Sequence, residues 1–267
     1  MKVLLCHNHY LQPGGEDQVF ADEATLLESR GIEVIRYVRD SKDTQDMDAL
    51  SVAKSTLWNG DTFDEVRTLI RAARPDVVHC TNTFPLISPA VYDAAQVEHV
   101  PVVQSLHNFR TLCVNGLLMR EGSPCEKCVG KVVPWHGITN RCYRDSRAAS
   151  AVLAASAATQ RMKRDWRDPV TLYVALSEFS RQKFIQGGFD PERIVVKPNF
   201  VSPAPRLGFG TDGGAIFVGR LSEEKGIDVL LAAWRQIEMP LGLTIIGDGP
   251  LADDVKTAAS NDQRIRW

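Results

Sequence analysis

Late in the 267-residue chain, two glycine-bearing stretches carry fixed charge that could hold an anion. The apolar run from Ala215 to Val218 ends in Gly219-Arg220, and Lys225-Gly226 then opens an apolar-periodic segment. A second apolar run, Leu243 to Ile246, ends in Gly247-Asp248-Gly249, and another periodic segment follows. Strand, loop and helix in that order put Arg220, Lys225, backbone N–H groups and helix N-termini at the carboxyl ends of neighbouring strands. Open α/β sheets bind their ligands there. Helix N-termini and free N–H groups suit a phosphate; Arg adds a two-pronged donor and Lys a point charge. On spacing alone, a generic Rossmann-like unit with a surface Arg and Lys reads equally well.

The first half offers further groups. His7-Asn-His-Tyr-Leu-Gln-Pro-Gly14-Gly15-Glu16 joins a first strand to its helix. Gly14-Gly15 lets backbone come close to a ligand, and the helix N-terminus behind it favours an anion; an ordinary Pro-Gly turn is the plainer reading. His107-Asn108 follows a strand over Pro101–Leu106, where a histidine can donate to a developing oxyanion or a sugar hydroxyl. His79 and His99 fit structural roles, one within a strand and one near a helix end, while His7 and His9 border the glycine pair. Ser177 reads as an N-cap with Glu178 in the first turn.

Cys113, Cys125, Cys128 and Cys142 form a separate cluster. The Cys125-Glu-Lys-Cys128 knuckle with one outlying cysteine on each side fits a four-thiolate zinc site, which would fold a loop poor in core residues. Four reduced, unrelated thiols are the alternative. Four thiolates leave no open position, so such an ion would be structural. Arg141, Arg144, Arg147, Arg161, Lys163, Arg164 and Arg167 flank and extend an Ala-rich helix. With Asp145, Asp165 and Asp168 interspersed they read as a solvated face; the functional alternative is a basic edge that meets anionic lipid or a lipid-diphosphate acceptor. Asp46-Met-Asp48 matches a metal-binding D-x-D, but it lies in a polar stretch away from any strand end, and chance accounts for it.

The elements that position these groups alternate from the start, which predicts parallel α/β sheets. Strands are expected at Lys2–Cys6, Glu33–Val38, Asp76–Cys80, Pro101–Leu106, Thr171–Leu176 and Ile194–Lys197. Helices are expected at Glu16–Arg30, Asp61–Ala73, Pro89–Glu98, Ser146–Lys163 and Glu178–Gln186. In the first helix Phe20, Ala24 and Leu27 share one face. Residues 108–145 break the alternation as a cysteine-containing insertion. A Pro- and Gly-rich linker over 201–214 separates a first domain, 1–200, from a second that begins at 215 and runs to 267. Arg264 to Trp267 looks like the opening of one more strand.

Composition narrows the class. At 44% hydrophobic and 24% charged, the chain is that of an ordinary globular protein. A net charge of −2 carries no general signature of nucleic-acid binding. Ala148 to Thr159 is too short and too rich in Ser and Ala to span a bilayer. Met1 to Cys6 lacks the apolar core and cleavage site of a signal peptide, which predicts a cytoplasmic protein with reduced or metal-bound thiols. No Walker A or GxGxxG string occurs.

The run Val218-Gly-Arg-Leu-Ser-Glu-Glu-Lys-Gly-Ile-Asp-Val-Leu-Leu-Ala-Ala-Trp234, with Ile245-Ile-Gly-Asp-Gly-Pro-Leu251, resembles the donor-binding half of a GT-B glycosyltransferase of family 4. The resemblance implies two Rossmann-like domains with parallel sheets, closing on a nucleoside diphosphate sugar. It implies that Arg220 and Lys225 grip the diphosphate, with no metal required for catalysis. Gly219 and Gly247-Asp248-Gly249 would let the nucleotide approach backbone. Gly14, Gly15 and Glu16 would lie between donor and acceptor, and His107 near the donor sugar. Ser177 and Asn199, which follows Lys197-Pro198, would line the interdomain cleft.

The implied activity is retaining transfer of a hexosyl group to a saccharide or lipid-linked acceptor, in surface polysaccharide synthesis, with peripheral contact at the inner face of the membrane. No motif specifies an oligomeric state. The family carries an E-x7-E motif that is absent after Gly249, so the second domain reads as incomplete and the chain as truncated. Two rivals share the fold: a nucleotide-sugar epimerase and a non-catalytic sugar-nucleotide-binding module.

Overall fold

The chain divides into two compact units, one of residues 1–120 with 124–205 and the other of residues 121–123 with 206–267. The computed structural model describes residues 1–12, 14–202, 204, 208 and 213–267. Residues 203, 205–207 and 209–212 of the expected linker therefore lie outside the described residues.

In the first unit, strands β1 (Lys2–His9), β2 (Glu33–Asp40), β3 (Val77–Asn82) and β4 (Val102–Leu106) alternate with helices α1 (Gly15–Ser29), α2 (Ala49–Leu57), α3 (Gly60–Ala73) and α4 (Ala90–Val97). A short hairpin, β5 (Met119–Arg120) with β6 (Ser123–Pro124), and helix α5 (Trp135–Thr139) interrupt this rhythm. Helix α6 (Arg147–Arg167), strand β7 (Leu172–Ala175), helix α7 (Glu178–Gln186) and strand β8 (Ile194–Val196) resume it. The six long-range strands form one parallel sheet in the order β2-β1-β3-β4-β7-β8. The order reverses between β1 and β3, the place where doubly wound sheets open a crevice for a ligand.

Side chains of β1 alternate, and both faces are covered, as in other parallel sheets. Val3 and Leu5 meet Phe20 and Ala24 of α1, with Leu27 packed behind. Leu4 and Cys6 point the other way, into a cluster with Val66 and Ile70 of α3 and Val91 and Ala94 of α4. Asn59 caps α3 by accepting from the N–H groups of Asp61 and Thr62. Burying one large aliphatic side chain contributes about 1.5–3 kcal/mol, so these two clusters dominate the unit's stability.

Two local outcomes differ from the sequence reading. Strand β1 continues through His7, Asn8 and His9 because β2 stays paired to it as far as His9 with Asp40. The polar side chains there are satisfied: Asn8 donates to Ser41 Oγ and to the His9 carbonyl, and accepts from the Leu86 N–H. Helix α2 forms where no element was expected. Asp48 is its N-cap, accepting from the Leu50 and Ser51 N–H groups and the Ser51 hydroxyl. That capping role accounts for Asp48 in the D-x-D match.

The second unit has strands β9 (Ala215–Val218), β10 (Leu243–Ile246) and β11 (Ile265–Arg266), parallel in the order β11-β10-β9, with helices α8 (Ile227–Trp234) and α9 (Ala252–Asn261). Leu243 and Ile245 pack with Leu221, Ile227, Leu231, Trp234 and Val255 into one core. The alternate residues Ile216, Val218 and Ile246 are exposed, so within this unit the sheet is covered on one face. Among the described residues, no helix is long and apolar enough to cross a membrane.

Candidate active site

At the switch point of the first sheet, the end of β1 and the start of α1 build a network around Asp17. Gly14 takes extended backbone as N-cap of α1, and its N–H donates to Asp17 Oδ2 at 2.7 Å. Asp17 Oδ1 lies 2.9 Å from His7 Nε2 and 2.9 Å from His9 Nδ1. His7 Nδ1 lies 2.7 Å from the Thr81 hydroxyl. Burial, the largest influence, holds the His7 pKa below its ordinary value against the raising effect of Asp17. A neutral His7 then donates through Nε2 to Asp17 and accepts from Thr81 at Nδ1. Burial alone would raise the Asp17 carboxyl, but the bonds from His7, His9 and Gly14 outweigh it and hold Asp17 below the usual range. The ligand atoms of His7, His9 and Asp17 lie within 4.8 Å of one another, close enough to share a cation. Each is already engaged in a hydrogen bond, so the trio is complete without one.

Glu16, next along α1, accepts from the Tyr10 hydroxyl at 2.7 Å and from Asn108 Nδ2 at 3.2 Å. It thereby ties the glycine loop to the loop after β4. Gly15 opens α1 with ordinary backbone angles, and a Cβ added there would meet nothing within 4 Å. The fold does not require a glycine at this position; its absent side chain leaves room over the helix N-terminus.

One turn and more further along α1, buried Glu23 forms an ion pair with Lys197, which follows β8. Glu23 Oε2 lies 3.7 Å from His79 Nδ1, and His79 Nε2 lies 2.9 Å from Ser105 Oγ. His107 feels both charges. Burial lowers its pKa to about 4, with Glu23 opposing and Lys197 adding to the fall. It is a neutral imidazole near pH 7, and both ring nitrogens are buried with no hydrogen-bond partner. Such a group carries an unmet donor and an unmet acceptor. His107 also lines a cavity of about 100 Å³ with Thr81, Asn82, Asn108, Arg110, Thr111 and Arg164. Arg110 stacks over Phe84 at 4.2 Å and Arg164 over Phe189 at 3.8 Å. Each guanidinium keeps two buried nitrogens without a partner.

In the second unit the two glycine loops interlock through backbone. The Gly219 N–H donates to the Ile246 carbonyl at 3.0 Å and the Leu221 N–H to the Asp248 carbonyl at 2.9 Å. The Leu251 N–H returns to the Leu221 carbonyl at 2.9 Å. Gly247 has φ +148°, and a Cβ there would sit 1.9 Å from the Gly219 carbonyl oxygen. At Gly249, a Cβ would sit 2.5 Å from the Leu221 carbonyl oxygen. These glycines are required by the packing of one loop on the other. Asp248 accepts from the Gly249 N–H at 2.7 Å. Arg220 and Lys225 project beside the loops, exposed, and among the described residues neither has a salt-bridge partner. The arrangement offers two uncompensated cations at the carboxyl end of β9.

A family model described as Glycosyltransferase Family 4 matches residues 13–204. The chain belongs to glycosyltransferase family 4. No curated protein sequence matches this glycosyltransferase. Its fold is GT-B, shared with solved structures of low identity. The lipopolysaccharide outer core galactosyltransferase WaaB, in apo form, superposes with a TM-score of 0.57 at 15% identity over 100% of this chain and 67% of WaaB. HepE from Anabaena, in complex with UDP, gives 0.53 at 18% identity over 100% of this chain and 68% of its own. The HepE complex with UDP-glucose gives 0.53 at 19% identity with the same coverage.

The other expected positions of the glycosyltransferase fall as follows. Ser177 caps α7, accepting from the Ser180 N–H at 3.2 Å, so its hydroxyl is already engaged. Asn199 is exposed shortly after β8. Cys113, Cys125, Cys128 and Cys142 all line one small cavity in the insertion. Arg161 bonds Asp165 and the Gly187 carbonyl, and Lys163 bonds Asp93, so part of the expected basic face is held within the unit. Sequence reasoning did not single out Asp17, Glu23 or Lys197 near these groups; His79, read as structural, lies within β3 and bonds Ser105. The spacing of Glu16 and Glu23, seven apart on α1, was the available signal, since it sets both on the same side of a helix.

Proposed function

We propose that this chain takes a nucleoside diphosphate sugar as donor and transfers its hexosyl group, with retention of configuration, to a saccharide or lipid-linked acceptor. The observation that carries the reading is the pair Arg220 and Lys225, exposed and uncompensated beside interlocked glycine loops. Two fixed cations there stabilise charge as it builds on the leaving diphosphate, a role that needs no metal. HepE, whose solved structures hold UDP and UDP-glucose, supports a nucleotide-bound donor. Retention rests on family membership.

His107 supplies the sugar-positioning half. A neutral imidazole with both nitrogens unbonded can donate to one hydroxyl and accept from another, and orienting the reacting groups lowers the barrier. Burial keeps it neutral, with Glu23 opposing and Lys197 adding to the effect, while Gly15 leaves space for the acceptor. The unpartnered Arg110 and Arg164 in the adjoining cavity suit a phosphate, which favours an acceptor carried on a lipid phosphate or diphosphate. Trp166, 93% exposed on α6 beside exposed Met162 and Arg167, suits contact with the inner face of a membrane during surface polysaccharide synthesis.

The test is donor consumption with and without acceptor. Transfer only when acceptor is present supports the proposal; conversion of donor alone marks an epimerase, and binding without turnover marks a binding module. Arg220→Ala and Lys225→Ala should each lower kcat/KM by roughly ten- to a hundred-fold, the cost of one charge-assisted contact at about 1.5–3 kcal/mol. Wild-type turnover in both would remove the diphosphate assignment.

A further inference from the structure

The six cysteines fall into two kinds. Cys6 and Cys80 face each other across neighbouring strands β1 and β3, fully buried in the main core. The other four belong to the insertion between β4 and α6. That segment holds one short hairpin and the five-residue helix α5, and its backbone turns through positive φ at Leu118, Glu121, Arg141, Arg144 and Asp145. Such a segment has little repetitive hydrogen bonding of its own and needs another constraint to hold one shape.

Cys113, Cys125, Cys128 and Cys142 nevertheless meet around one cavity of about 10 Å³. That is room for a single atom-sized occupant. All four cysteine side chains line that space. The present contacts of two of them are weak substitutes: Cys113 Sγ donates to Asn115 Oδ1 at 3.0 Å and Cys128 Sγ to the Pro134 carbonyl at 3.8 Å.

We infer that Cys113, Cys125, Cys128 and Cys142 bind one zinc ion as a closed four-thiolate site that fixes the insertion. Four soft sulfur donors select zinc over hard cations. Closing on the ion turns the cysteine side chains inward about the cavity. The ion does no chemistry on substrate, since no coordination position stays open. Its effect on function is positional: the same loop carries Asn108, which bonds Glu16, and Arg110, which lines the larger cavity. The inference is independent of the donor and acceptor proposed above.

The experiment uses the full chain, purified without chelator and without a metal-affinity column. Elemental analysis should find about one zinc per chain, and a mercurial thiol reagent should release it. Cobalt exchanged into the site should show the intense visible bands of a tetrahedral four-thiolate complex. Cys125→Ser should lose the metal, while Cys6→Ala should keep it. If Cys125→Ser fails to fold, the cobalt spectrum of the unmodified chain decides the matter alone. Six free thiols with no uptake of zinc or cobalt, two disulfides among the four, bound iron in place of zinc, or an octahedral cobalt spectrum would each overturn the assignment.

Discussion

The two glycine pairs of this glycosyltransferase look alike in sequence and differ in what they are for. Gly247 and Gly249 are filled by their own fold, with carbonyl oxygens of the neighbouring loop where their side chains would be. Gly15 faces open space. Charge follows a parallel contrast. In the first unit Glu23 is paired with Lys197, and Asp17 is held by hydrogen bonds from neutral His7 and from the Gly14 N–H. In the second, Arg220 and Lys225 stand without a salt-bridge partner among the described residues. Paired charges tune and orient their neighbours; unpaired ones remain open to a ligand's charge. On the proposed reading, the second unit holds the donor's diphosphate, while the first positions the sugar and the acceptor.

The largest test of that contrast is Gly247→Ala. A positive-φ alanine whose Cβ meets a carbonyl oxygen combines backbone strain with overpacking, at a cost of about 3–6 kcal/mol. Hydrogen exchange should show amides of β9 and β10 losing protection while β1 and β3 keep theirs. Unchanged protection in β9 would mean the loops do not depend on each other.

Next in size is acid lability centred on His107. Its folded pKa is about 4 against an ordinary 6.5, so the unfolded chain binds the extra proton in between. Stability is complete above the unfolded value and falls as pH drops through the window from 6.5 to about 4, by on the order of 3 kcal/mol. His7 and His79, whose pKa values burial also lowers, act in the same sense. Denaturant midpoints across this range should drop less steeply in His107→Asn than in the unmodified chain. Equal slopes would show that His107 is solvated.

The smallest expected change in stability is at Gly15→Ala, within about 0.5 kcal/mol, because nothing in the fold is touched. Its effect should appear in turnover, through KM for the acceptor, with the melting temperature unmoved. A large loss of stability there would erase the distinction between the two glycine pairs.

The legibility of the chain followed the range of the interactions involved. Strand and helix positions in the sheets were readable because they rest on local periodicity: Val3 and Leu5 alternate with Leu4 and Cys6, and Thr62, Val66 and Ile70 recur on one face of α3. The position of Arg220 and Lys225 just past β9 was readable because their loop follows an apolar run directly. Helix α2 was missed because its cap, Asp48, sits in a stretch whose polarity reads as loop. Lys197 reads in the sequence only as the end of a strand, since its partner Glu23 lies 174 residues away in the chain.

What the sequence determined by itself is the alternating α/β order, the strand-end placement of the glycine and cation motifs, and family membership through them. These depend on residues close together in the chain. Only the tertiary structure decided that β1 lies beside β3, so that His7 meets Thr81, and that Glu23 faces Lys197 and His79 while His107 keeps two unbonded nitrogens. It also decided which glycines are packed and which are open. Charge state and steric room are properties of what surrounds a side chain, and those surroundings are assembled from distant segments that no local pattern brings together.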